Sequence, residues 1–158
     1  MFREVSREKQ ALTREECLAI LKEARRGVLA LQGEDGYPYA VPHNHWYCEE
    51  DGLLYFHSGK TGAKIEALRR SDKASYCVTD GGVAVPDAWW LQFRSVIAFG
   101  RMEIVEDHER ALDISRRLSY AFTQDEAYIE HEIRHSGPGV LVFAMHIAHI
   151  TGKRVNER

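Results

Sequence analysis

The chain predicts a mainly β fold with flanking helices, an α+β arrangement whose strands form a small closed or split β-barrel. Segments in which β-branched and aromatic residues alternate with polar ones outnumber those of helical period. Turn signals at Gly33-Glu34-Asp35-Gly36 and Glu49-Glu50-Asp51-Gly52 separate these segments, so neighbouring strands pair locally as antiparallel hairpins. No repeat, low-complexity tract or linker divides the 158 residues, which fits a single domain over 1–158 that can bury a substantial core.

The first helix begins at Thr13, whose hydroxyl can cap it while Glu16 reaches back in a capping box. Its core stripe is Cys17, Leu18, Leu21 and Ala24, and Gly27 is expected to stop it. Strands follow over residues 27–31, 36–47 and 51–56. A helix from about Thr61 to Arg70 then crosses to a strand over 74–79, and a loop rich in Gly, Pro and Trp spans Gly81 to Leu91. A long strand covers 94–105. Helical period returns from Asp107 to about Phe122 and again over 126–134, before a last strand over 140–150.

Composition narrows the functional classes. A hydrophobic content of 44% with 28% charged residues is that of a soluble globular protein. A net charge of −3 offers no general attraction to nucleic acid or to an anionic membrane, so any anion site must be local. Cys17, Cys48 and Cys77 are widely spaced and odd in number, which suggests free thiols in a reducing cytoplasm and no disulfide framework. The charged start Met1-Phe2-Arg3-Glu4 does not read as a signal peptide, and no run has membrane-spanning length.

The clearest chemistry lies in Tyr55-Phe56-His57-Ser58-Gly59-Lys60-Thr61-Gly62-Ala63-Lys64-Ile65, where an apolar strand meets a turn of small residues and a helix follows. Unpaired N–H groups and the helix dipole favour an anion there, and Ser58, Thr61, Lys60 and Lys64 add hydroxyls and positive charge. The spacing is not that of a Walker loop, so a nucleoside triphosphate is not expected. A solvated helix start is the plainer reading of the same residues.

The order of four motifs decides between them. G-Y-P-Y-A-V-P at 36–42, Y-F-H-S-G-K-x-G-x-K-I at 55–65, F-R-S-V-I-x-F-G-R at 93–101 and H-I-T-G-K at 149–153 together resemble the pyridoxamine 5'-phosphate oxidase-like FMN-binding split-barrel family, most closely its nitroimidazole-resistance branch. The resemblance runs over about residues 2–153. It implies FMN at the interface of a homodimer, with its phosphate near Ser58, Lys60 and Lys64, Lys64 matching a phosphate ligand of the family. Val41, Pro42, His43 and Asn44, with His57, would line the ribityl chain and ring, and Arg94 and Ser95 would reach the flavin across the dimer. The chain lacks the C-terminal tryptophan–arginine arrangement of the true oxidases and carries His149-Ile150-Thr151-Gly152-Lys153-Arg154 near its C-terminus instead, which argues against vitamin B6 oxidation.

Eight histidines make a metal centre the rival reading. His43-x-His45 on a strand shares a face, and His131 and His135 share a helical face. Neither pair supplies the three or four ligands zinc needs, and there is no C-x-x-C or H-E-x-x-H, so no metal is expected. His146 and His149 are expected on opposite faces of the last strand. His57 is the one tentative catalytic residue, placed by the resemblance close to the flavin; a turn histidine bonded to backbone is its structural alternative. Adjacent Trp89 and Trp90 cannot both face one core, so one is expected at a dimer contact, a ligand or solvent. The functional expectation is an FMN-dependent oxidoreductase acting on a small electron-poor molecule such as a nitroaromatic. A flavin-binding, flavin-storing or redox-sensing module without turnover is the alternative.

Overall fold

A computed structural model describes residues 2–155. Helix α1 (Arg14–Glu23) opens with the full capping box: the Glu16 N–H donates to Thr13 Oγ1, and the Thr13 N–H donates to the Glu16 carboxylate. Cys17, Ile20 and Leu21 form its buried stripe, while Leu18 and Ala24 are only partly covered. Ala24, in extended conformation, ends the helix. Gly27 therefore does not stop it; the residue lies in the following strand, where a Cβ would stand 2.5 Å from the Cys77 carbonyl oxygen and 2.8 Å from the Tyr76 hydroxyl.

Strands β1 (Arg26–Gln32) and β2 (Pro38–Asn44) form the first hairpin, and β3 (Trp46–Cys48) with β4 (Leu53–Gly59) the second. Helix α2 (Ala63–Arg70) leads to β5 (Lys73–Thr79), and the loop expected over 81–91 contains a short strand, β6 (Val83–Ala84). The long β7 (Leu91–Ile104) precedes α3 (His108–Ser119), capped by Asp107, and α4 (Glu126–Ser136), capped by Asp125. Strand β8 (Val140–Val155) closes the chain and runs five residues beyond the sequence expectation, because its far end keeps pairing with β7.

The sheet is antiparallel throughout, in the order β2-β1-β5-β7-β8-β4-β3, with β6 on the edge of β7. It curls into a half-barrel whose two edges, β2 and β3, are consecutive in the chain. The period of two sorts side chains between its faces. Leu29, Leu31, Leu54, Phe56, Tyr76, Val78, Val96, Phe143 and Met145 fill the interior together with residues of α1 and α2. Tyr55, Val142 and Ala144 alternate with them and pack outward against Ala111 and Ile114 of α3. This double burial is why Leu54-Tyr55-Phe56 reads as an unbroken apolar run.

One register detail corrects an expectation. His146 pairs with Arg101 and His149 with Phe99, two residues apart on β7, so Ala148 is the extra residue of a bulge. The bulge brings His146 and His149 to the same face, where a regular strand would separate them. There His146 pairs with Glu103, and the His149 ring stacks on Phe2.

Candidate functional site

The open corner of the barrel lies where β2 passes the end of β4 and the start of α2. His43 is buried there, its ring edge-on to Phe56 and Phe143 at 5.5 Å from each. Its Nδ1 donates to the Asn44 carbonyl at 2.7 Å, which leaves Nε2 as an acceptor, and the Lys64 ammonium donates to it at 2.8 Å. Lys64 Nζ also stands 5.9 Å over the Phe143 ring. Burial pushes the His43 pKa down to about 4; the Asn44 hydrogen bond opposes this and the Lys64 charge reinforces it. The imidazole is thus neutral at physiological pH, as its role of acceptor for an ammonium requires. Loss of hydration lowers the Lys64 pKa as well.

His57 follows Phe56 and faces outward, on the α3 side of the sheet. Its side chain reaches solvent from within a concavity, and the lost hydration there, with the Lys64 charge, lowers its pKa. This gives the sign that the sequence leaves open: His57 is neutral near pH 7. Beyond it, a Cβ at Gly59 or Gly62 would meet open space, and Gly62 sits at φ +109°, a conformation that favours glycine. The turn therefore presents bare backbone beside the first N–H groups of α2, and Lys64, in the first turn of that helix, reaches from it into the barrel to His43. That donor set suits a monophosphate: free backbone N–H, an ammonium and the Ser58 hydroxyl.

The sequence candidates divide accordingly. His43, Asn44, His57, Ser58 and Lys64 gather at this corner, with Val41 and Pro42 on the adjoining stretch of β2. Lys60 turns away, its ammonium donating to the Pro138 carbonyl at 2.6 Å. Arg94 and Ser95 are remote within one protomer: Ser58 pairs with Leu141 at one end of β8, and Ser95 with Lys153 at the other. Arg94 there donates to the Asp80 carboxylate at 2.9 Å.

Sequence reasoning missed the anchor behind His43. His45 is buried, with Nε2 donating to the Leu21 carbonyl at 2.7 Å and Nδ1 2.8 Å from the Tyr76 hydroxyl. The Tyr76 hydroxyl is also 2.8 Å from the His43 carbonyl, so one phenolic proton serves two acceptors and ties the segment between β2 and β3 to β5. His43 and His45 thus serve separate networks, and among the described residues no group of three or more His, Cys, Asp or Glu side chains is arranged to hold a metal.

The fold is that of a split-barrel protein, with an open corner at the β2 edge. The chain belongs to the pyridoxamine 5'-phosphate oxidase family, whose model matches residues 13–154. No curated protein matches it. Among solved structures, it is similar to a candidate 5-nitroimidazole antibiotic resistance protein from Bacteroides thetaiotaomicron, at 24% identity over 93% of this chain and 90% of that one, with a TM-score of 0.74. It is also similar to an FAD-binding protein from Mesorhizobium loti, at 25% identity over 93% and 98% with a TM-score of 0.64. A third is an FAD and heme binding protein from Mycobacterium smegmatis, at 23% identity over 94% and 74% with a TM-score of 0.76.

Proposed function

We propose that this protein is a flavoprotein that binds FMN as a homodimer and reduces a small electron-poor molecule such as a nitroaromatic. The observation that carries the reading is the Lys64 ammonium held on neutral His43 beside an open glycine turn and a helix start. A cation positioned in this way has its charge unspent and can accept a phosphate without rebuilding the fold. A single free ammonium at the corner, among the described residues, favours one phosphate group, as in FMN, while the Mesorhizobium and Mycobacterium relatives named above bind FAD, so both flavins belong in the test.

A bound flavin supplies electron or hydride transfer; the protein supplies orientation and electrostatics. Lys64 and the α2 N–H groups hold the phosphate end. Neutral His57 keeps one ring N–H with which to donate a hydrogen bond to a substrate oxygen or to the polar edge of the cofactor. Ser58 adds a hydroxyl on the neighbouring strand position. Support for the homodimer comes from the outer face of the sheet. Val28, Cys77, Ile97 and Thr151 form one register row across four strands, and Ala30, Ser75, Phe99 and His149 form the next. Val28 and Ile97 remain exposed there, and Trp89 is 90% exposed on the β6–β7 loop. The family resemblance implies that in such a dimer Arg94 and Ser95 of one protomer reach the flavin of the other. Three free cysteines accord with a cytoplasmic setting, and no helix among the described residues is long and apolar enough to cross a membrane.

The absorption spectrum of the purified protein, after incubation with FMN, FAD and riboflavin in turn, tests the cofactor. Sedimentation tests the dimer. Reduction of a nitroimidazole with NAD(P)H or a reductase as donor tests turnover. Bound flavin without turnover in that assay would favour the storage or sensing module over the enzyme.

A further inference from the structure

On the α3 side of His57 lies a cavity of about 450 Å³, within the range of small-molecule sites. Two helices build it by their periodicity. Ser115 and Ser119 face it from successive turns of α3, and Ile129, Glu132, Ile133 and Ser136 form the facing stripe of α4. Ser119 is satisfied, since its hydroxyl donates to the Ser115 carbonyl at 2.8 Å. Ser115 is not. It is 7% exposed, and its Oγ has no hydrogen-bond partner in the fold. A buried hydroxyl without a partner is costly and uncommon, and the residue that carries it stands in the wall of a cavity large enough to hold one. The charge of the lining is also one-sided: Glu132 is its only Asp, Glu, Lys or Arg, and His57 is neutral.

We propose that this cavity is the substrate pocket and that it selects small, flat, neutral or cationic molecules bearing an amine or hydroxyl donor, with Glu132 and Ser115 as specificity-determining residues. Ile129 and Ile133 supply apolar walls for a ring, Glu132 accepts from the donor group, and Ser115 completes its hydrogen bonding with the ligand. Anionic molecules are rejected because Glu132 repels them and the cavity offers no lysine or arginine in return. The redox role of such a ligand rests on the flavin reading above; its binding rests on the cavity alone.

The test is calorimetric titration of the purified protein, with whatever flavin it carries, by an aminoethyl-substituted nitroimidazole and by its carboxymethyl counterpart. The amine is expected to bind about tenfold or more tightly, as one charge-assisted hydrogen bond to a carboxylate warrants. Glu132→Gln should reduce that preference to about twofold or less while leaving flavin content unchanged. Ser115→Leu should fill the cavity and weaken both probes; thermal unfolding reports whether that variant folds, and Glu132→Gln decides the matter if it does not. Equal binding of the two probes, or a preference that survives Glu132→Gln, overturns the proposal. A protein that takes up none of the three flavins yet still prefers the amine overturns the flavin reading and leaves this one standing.

Discussion

His43 and His45 stand two residues apart, both buried and both held neutral by burial, yet they do different work. His45 spends both nitrogens on the protein, one on the Leu21 carbonyl and one on the Tyr76 hydroxyl, and so is a structural cross-link between α1, β5 and the β2–β3 junction. His43 spends one nitrogen on the adjacent Asn44 carbonyl and offers the other to a lysine at the edge of the barrel. A buried histidine whose partners are all neutral protein groups supports the fold. One that positions a charge beside open backbone prepares a binding site.

The largest expected effect is on the structural side. His45→Ala leaves the Leu21 carbonyl without its donor, removes one of the two partners of the Tyr76 hydroxyl and opens a void, and should cost about 2–4 kcal/mol in urea unfolding. Any loss of flavin should track the loss of folded protein. A stability change below about 0.5 kcal/mol, the range of ordinary surface substitutions, would erase the contrast between the two histidines.

His43 makes the next prediction, through pH. Its pKa is about 4 in the folded protein against 6.5 in an unfolded chain, so the unfolded state takes up the proton first as pH falls. The stabilisation is therefore complete above about pH 6.5 and is lost progressively toward pH 4, by roughly 2–3 kcal/mol. Thermal unfolding across that window should steepen accordingly, and His43→Gln should flatten the difference. A wild-type curve no steeper than that of the variant would remove His43 from the account.

His57 should matter least to the fold. His57→Ala is expected to change stability by no more than about 0.5 kcal/mol, because the side chain reaches solvent. It should instead shift the potential of the bound flavin or slow nitro-group reduction. If it lowers the melting temperature and flavin content together, while the flavin that remains reacts at the normal rate, His57 belongs with His45.

What the sequence made legible was local. The capping box at Thr13, the two hairpin turns and the strand–turn–helix at Ser58 to Lys64 are each written within a few residues, and each formed where the pattern put it. His43, His57, Ser58 and Lys64 came together because β2 and β4 bracket one corner of the barrel. The misreadings were of long range. Gly27 looked like a helix stop, but its lack of a side chain answers to Tyr76 on a different strand. The bulge at Ala148 is set by the pairing of β7 with β8 and leaves no mark in the sequence of β8 alone. Lys60, expected beside the phosphate, donates to the Pro138 carbonyl in this structure, a contact made by chain far away in sequence. Ser115 and Glu132 had no signal, since a cavity between two helices appears only once they pack.

The central claim is that Lys64, held by His43, reads a phosphate. Its most direct test is fluorescence titration of wild type and Lys64→Ala with FMN and with riboflavin, which differ only in the phosphate. The account predicts that Lys64→Ala weakens FMN by about 10–100-fold, the loss of a charge-assisted contact, and leaves riboflavin affinity nearly unchanged. Equal weakening of both ligands, or of neither, would contradict it.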